Sequence, residues 1–222
     1  MANIIIQNLQ ELNLNNLKLA KVGRNIKLII DKQNLNINTG VLYMPFNLNK
    51  YKKQWTNIDE YSMDCYVQDS TCVDKLIQLD NTILELSKNN SQLFGLQNSD
   101  NVSYSPFYRE NKTYPKLLKL YLPRDANGNF TTQFFNENSD IILIDENNID
   151  TILTKKTMFK CIITPSKVWH YQNKFGSMWN IVQLKLTGNS DKENSDSESS
   201  ESSESSENNK ISESNIYTEL LI

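Results

Sequence analysis

The segment that most constrains this chain runs from Met158 to Leu186, where two β-rich runs meet at "QNKFG". Alternating side chains leave a strand on opposite faces, so each run has to bury one face against other strands. Pro165 cannot donate to a ladder and is expected to bend the first run. The pair reads as a final hairpin that closes a mainly β domain.

Upstream segments fit that reading. "KVGRNIKLIID" (21–31) and "LNINTGVLYMPF" (35–46) are strand-like, with Pro45 limiting the second to an edge or an end. "PKLLKLYLPRDANGNFTTQFF" predicts a hairpin that turns around Asp125 to Asn129 and returns over Phe130 to Phe135. One inserted helix is expected at about 70–94. Asp69 or Ser70 caps it, Val73, Leu76, Ile77, Ile83 and Leu84 form its apolar stripe, and Gly95 lies just past its end. A shorter helix is expected at about 146–156, with the acidic pair Asp145–Glu146 at its start. Mostly strands with inserted helices predict a small β-barrel, with an open mixed sheet as the competing architecture.

Residues 188–222 cannot join that core. They carry nine acids against two lysines, a net of −7, which leaves +4 for residues 1–187 of a chain whose net charge is −3. The Ser/Glu-rich run offers nothing to offset backbone entropy and is expected to be disordered. It ends in an apolar tip where Tyr217, Leu220, Leu221 and Ile222 suggest a docking peptide. The domain division is therefore 1–187 and 188–222. No apolar run approaches the length of a spanning helix, and the N-terminus has no basic lead-in, so neither an anchor nor a signal peptide is expected. The three cysteines, Cys65, Cys72 and Cys161, read as buried free thiols of an intracellular protein.

The closing hairpin carries the chemistry. Alternation puts Met178, Asn180, Val182, Leu184 and Leu186 on one face of the return strand, the expected core face. Trp179, Gln183 and Lys185 then point outward with Ile181. On the first strand Trp169 and Tyr171 share a face beside Lys167. The turn adds Lys174 and Phe175, with Gly176 available for positive φ. Aromatic faces interleaved with lysines suit single-stranded nucleic acid, because bases stack on rings and lysines meet phosphates. The competing reading is that one or both tryptophans are core. Lys116, Lys119, Tyr121 and Arg124 on the middle hairpin would extend the groove, as would Lys50, Lys52 and Lys53 near Trp55. There is no Gly-rich phosphate loop, and His170 is the only histidine, so neither an enzyme nor a metal or other cofactor is expected.

"INTGVLYMPFNL", "YPKLLKLYLP" and "VWHYQNKFGSMWNIVQLKL" resemble the single-stranded-DNA-binding proteins of nucleocytoplasmic large DNA viruses, a group similar to the phage T7 type. The resemblance spans about residues 35–187. Its most specific part is the pattern Trp169, Lys174, Gly176, Trp179 and Gln183. It implies an OB-fold, non-enzymatic binding of single-stranded DNA in replication, recombination or repair, and often a homodimer. It also implies an acidic tail that competes with DNA and docks replication proteins, in the host cytoplasm, the viral factory or the virion. This tail departs from the pattern in being serine-rich with a longer aliphatic tip. Two other functions stay open: a nucleoid or packaging protein acting on duplex DNA, and a protein–protein adaptor.

Overall fold

The structure is a computed structural model that describes residues 6–31, 33–52, 58–95, 103–110, 116–172 and 174–189. Lys53, Trp55 and the C-terminal tail beyond residue 189, Tyr217, Leu220, Leu221 and Ile222 included, lie outside the described residues.

In chain order the strands are β1 (Ile6–Asn8), β2 (Leu17–Val22), β3 (Asn25–Ile30), β4 (Gln33–Asn34), β5 (Asn36–Tyr43), β6 (Asn49–Lys52) and β7 (Asp59–Val67). Helix α1 (Ser70–Asn89) follows. Then come β8 (Ser103–Ser105), β9 (Tyr108–Arg109), β10 (Leu117–Leu122), β11 (Gln133–Phe135), β12 (Ile141–Ile142), helix α2 (Ile149–Ile152), β13 (Thr157–Tyr171) and β14 (Lys174–Asn189). The expected mainly β class with inserted helices is what forms.

Five strands bond in a ring, β14–β10–β7–β5–β13, and β13 closes back onto β14. The alternation seen in the sequence explains the core of this small barrel. Leu118, Leu120 and Leu122 of β10 point inward with Met63, Cys65 and Val67 of β7 and Phe159, Cys161 and Ile163 of β13. Removing that apolar area from water, at about 25 cal/mol per Å², is the main force holding the ring. Two arms extend from it: β14 leads to β11 and β12, and β13 leads to β3 and β2. All three cysteines are buried and free, and burial pushes the Cys161 thiol up to about 12.

Helix α1 starts where Asp69 accepts the Thr71 amide at 2.8 Å. Of its expected stripe, Leu76 and Ile83 are buried and Val73, Ile77 and Leu84 partly so, while Cys72, Leu79, Asp80 and Ser87 complete the buried side. A 3-10 turn at Ser91–Phe94 and Gly95 at φ +73° end it.

Several expectations need correction. The strand expected at 21–31 folds back at Gly23–Arg24, so that β2 and β3 form a hairpin. The middle hairpin turns at Asp125 as expected, with the Asp125 carboxylate accepting the Asn127 and Asn129 amides. Its return, however, leaves β10 after a single Arg124–Phe130 bridge, and β11 pairs in parallel with β14 instead. The second helix is one turn, Ile149–Ile152.

Candidate nucleic-acid interface

The β13–β14 hairpin sets the geometry of the site. Its register opposes Lys167 to Met178, Trp169 to Gly176, and Tyr171 to Lys174, which puts all six on one face. Val168, His170, Phe175, Ser177 and Trp179 take the other face, toward the protein. The inner face is buttressed by the end of the inserted helix segment. Phe94 meets the Phe175 ring edge-on at 4.7 Å, and His170 sits 5.3 Å from the same ring. His170 is thus a packing residue.

Trp179 is a core residue, and its outward assignment is overturned. It is 0 % exposed, stacks on Phe107 at 4.9 Å, and donates its indole N–H to the Ser177 hydroxyl at 2.9 Å. Phe175 and Gln183 are likewise buried, with Gln183 donating to Gln133 at 2.9 Å. Met178 and Asn180, expected in the core, lie on the outer side. The face assignment was inverted because β14 is irregular. Ile181 opposes Ile163 and Gln183 opposes Ile162, so Val182 is an extra residue that switches which side chains face inward. Extrapolating back from Leu184 and Leu186 across that bulge gives the wrong face. A second irregularity at Pro165–Lys167 is the expected bend.

Trp169 and Tyr171 do share the outer face with Lys167 and Lys174. Tyr171 is 69 % exposed and Lys174 is exposed. Trp169 is half-buried and lies over Gly176. A Cβ on that glycine would stand 2.2 Å from Trp169 Cζ2 and 2.5 Å from Cε2. Gly176 is therefore needed for close approach, and it does not take the positive φ expected of it. Gln172, at φ 51°, supplies the positive φ of the turn.

The outer face continues across the ring. Asn180 pairs with Tyr121 of β10, which pairs with Ser62 of β7. A cleft of about 460 Å³ joins these elements, lined by Lys167, Met178 and Asn180 from the hairpin and by Tyr121, Asn25 and Tyr61 beside it. The Lys119 ammonium sits 5.7 Å from the Tyr121 ring centroid, and burial lowers its pKa. Tyr51, exposed on β6, extends the aromatic surface and donates its hydroxyl to Glu60.

Two predicted cations are engaged by the protein itself, Arg124 in the wall of this cleft and Lys185 far along β14. Arg124 is a clamp for its own loop. Its guanidinium donates to the Gly128 carbonyl at 2.5 Å and the Asp59 carbonyl at 3.1 Å, pairs with Glu146, and lies between the Tyr61 and Phe130 rings. Lys185 donates to the Ser139 hydroxyl at 2.5 Å and sits eleven residues along β14 from Lys174, roughly 35 Å of strand. Lys116 pairs with Glu110 at 3.5 Å and Lys50 with Asp59 at 3.3 Å. Met178 and Asn180, unlike Lys167, were missed as residues of this face. The signal available for them was a glycine directly opposite a tryptophan, which marks the face where the ring lies.

No family model matches the chain, and no curated protein matches it. Three solved structures of a single-stranded DNA-binding protein from bacteriophage Enc34 are similar to it. The form in complex with ssDNA is 12 % identical with a TM-score of 0.47, over 77 % of this chain and 94 % of that one. The form without DNA is 11 % identical with a TM-score of 0.41, over 81 % and 96 %. The C-terminal truncation is 12 % identical with a TM-score of 0.41, over 78 % and 95 %. At identities and scores this low the likeness fixes neither fold nor activity, and the residues of this chain must carry both.

Proposed function

We propose that this protein is a non-enzymatic, OB-fold type binder of single-stranded DNA that acts without sequence preference in viral DNA replication, recombination or repair. The carrying observation is the continuous outer face that runs from Tyr171 and Trp169, through Lys167, Met178 and Asn180, to Tyr121 and Lys119. Stacked bases gain ~1–3 kcal/mol each on such rings, and any base has a face to offer. Lysines along the same track neutralise phosphates and release counterions. Exposed ring faces suit unstacked bases, whereas a duplex keeps its bases stacked inside and offers such rings nothing.

On this reading residues 188–222, net −7, compete with DNA for the lysines. The apolar tip with Tyr217, Leu220, Leu221 and Ile222 docks replication proteins. The protein works inside the host cell, in cytoplasm, viral factory or virion, and the homodimer implied by the resemblance is one form its self-association would take.

The test is a competition between a labelled single-stranded oligonucleotide and unlabelled single-stranded or duplex DNA of the same sequence. Displacement by the single strand at far lower concentration supports the reading. Equal displacement by duplex points to a packaging protein, and absence of salt-sensitive binding to either points to an adaptor.

A further inference from the structure

The two arms of the strand ring stop at edges of opposite charge. One arm ends on β12 and the other on β2, and no described strand pairs with the far side of either. Such edges carry unpaired N–H and C=O groups that accept another strand. At β12, Ile141 is 58 % exposed and Leu143 is 86 % exposed. From Asp125 to Thr154 the sequence holds six acids and no lysine or arginine. Nearby cations offset part of this: Glu146 pairs with Arg124, and Lys185 reaches Ser139. At the other edge, Lys18, Lys21, Arg24 and Lys27 lie on the β2–β3 hairpin, and no acid occurs from Asn13 to Ile30. Val22 there is half exposed.

We propose that the β12 edge of one copy docks on the β2 edge of the next. Two β2 edges would bring lysines together, and two β12 edges would bring carboxylates together, so like pairs are disfavoured. The mixed pair matches in sign and covers Ile141 and Leu143 with Val22 and the aliphatic stems of the lysines. Such a contact is heterologous and propagates head to tail, because each copy keeps one free edge of each kind. The ladder available at β12 is only two residues long, so the contact is weak in isolation. A strand of DNA that holds neighbours side by side would strengthen it and make binding cooperative; that last step rests on the proposed function, while the association itself does not.

Cross-linking of surface thiols tests the pairing, since the three native cysteines are buried. Lys21→Cys and Leu143→Cys are made singly and together and treated with a short bis-maleimide, with and without an oligonucleotide long enough for one copy. The expected result is a ladder of multimers from the double variant, cross-linked pairs when the two single variants are mixed, and monomers from either single variant alone. Ile141→Lys, an exposed change on the β12 edge, should abolish the ladder when added to the double variant, because it sets a lysine against the basic edge of the next copy. Cross-linking within one single variant, or no cross-link in the mixture, overturns the proposal. Oligonucleotide binding without a ladder sinks the edge pairing alone, whereas a ladder without oligonucleotide binding sinks the DNA reading alone.

Discussion

Trp169 covers Gly176 across the closing hairpin so closely that a methyl group on the glycine would stand 2.2 Å from the indole Cζ2. The ring's outer face is held there by the absence of a side chain beneath it. Gly176→Ala should displace the indole while leaving the β13–β14 ladder paired. Affinity for oligo-dT should fall by ~1–3 kcal/mol, about as much as for Trp169→Ala. The double variant should lose little more than either single change, since both remove the same ring. Fluorescence anisotropy reads all three, and wild-type affinity in Gly176→Ala would contradict the arrangement.

Trp179 should behave as a core residue. Trp179→Ala removes the stack on Phe107 and leaves a cavity, at a cost of ~3–5 kcal/mol, a large share of the stability of a domain this size. Urea denaturation should show that loss. A variant that unfolds at the wild-type midpoint yet binds DNA poorly would return Trp179 to the binding surface.

The lysines of the outer face should set the salt dependence. Each of Lys167→Ala and Lys174→Ala should lower the log–log slope of affinity against salt by up to about 0.7, the value for one phosphate on a single strand. Arg124→Ala should instead destabilise its loop and leave the slope unchanged, because its guanidinium is occupied by Glu146 and two carbonyls. A slope change for Arg124 alone would reverse the assignment.

Asp80 predicts a pH dependence of stability. It is 6 % exposed, and burial raises its pKa from 3.8 to about 6 despite hydrogen bonds from the Tyr104 hydroxyl and the Phe107 and Tyr108 amides. The protonated form is favoured by folding. Its contribution is therefore full below pH 3.8 and is lost as pH rises through about 6. A shift of this size corresponds to ~3 kcal/mol. Comparing urea midpoints across that window for the wild type and Asp80→Asn should show the slope in the first and a flatter profile in the second. Identical profiles would remove Asp80 as the cause.

Removing the tail should tighten DNA binding at low salt. The proposed function has the nine acids of residues 190–222 compete with DNA for the lysines, and a competitor tethered to the same chain acts at an effective concentration of about millimolar. The gain should shrink as salt screens the charges. Unchanged affinity at low salt would make the tail a linker and not a competitor.

The class of fold was legible because it depends on local alternation: the leucines of β10 and the stripe near Leu76 and Ile83 point where their spacing says. What was not legible depends on the ring. Val182 is an extra residue only relative to Ile162 and Ile163 across the ladder, so nothing in β14 alone marks the place where its faces exchange. The destination of β11 is similarly non-local, since an Asp125 turn is compatible with a hairpin until β14 offers a longer partner. Of the binding candidates, Trp169, Tyr171 and Lys174 sit before the bulge on a regular ladder and were placed together correctly. Carrying the register of Leu184 and Leu186 back across the bulge is what turns Trp179 outward; Gln183 and Lys185 lie beyond the bulge, Gln183 buried against Gln133 and Lys185 on the outer side opposite Lys160.

Intrinsic tryptophan fluorescence during titration with oligo-dT tests the central claim most directly, run at low and high salt on the wild type and on Trp169→Phe. The expected result is saturable quenching in the wild type that weakens at high salt, with most of the quenching lost in Trp169→Phe while Trp179 continues to emit from the core. No quenching in the wild type, or quenching that survives both high salt and Trp169→Phe, would contradict single-stranded DNA binding on this face.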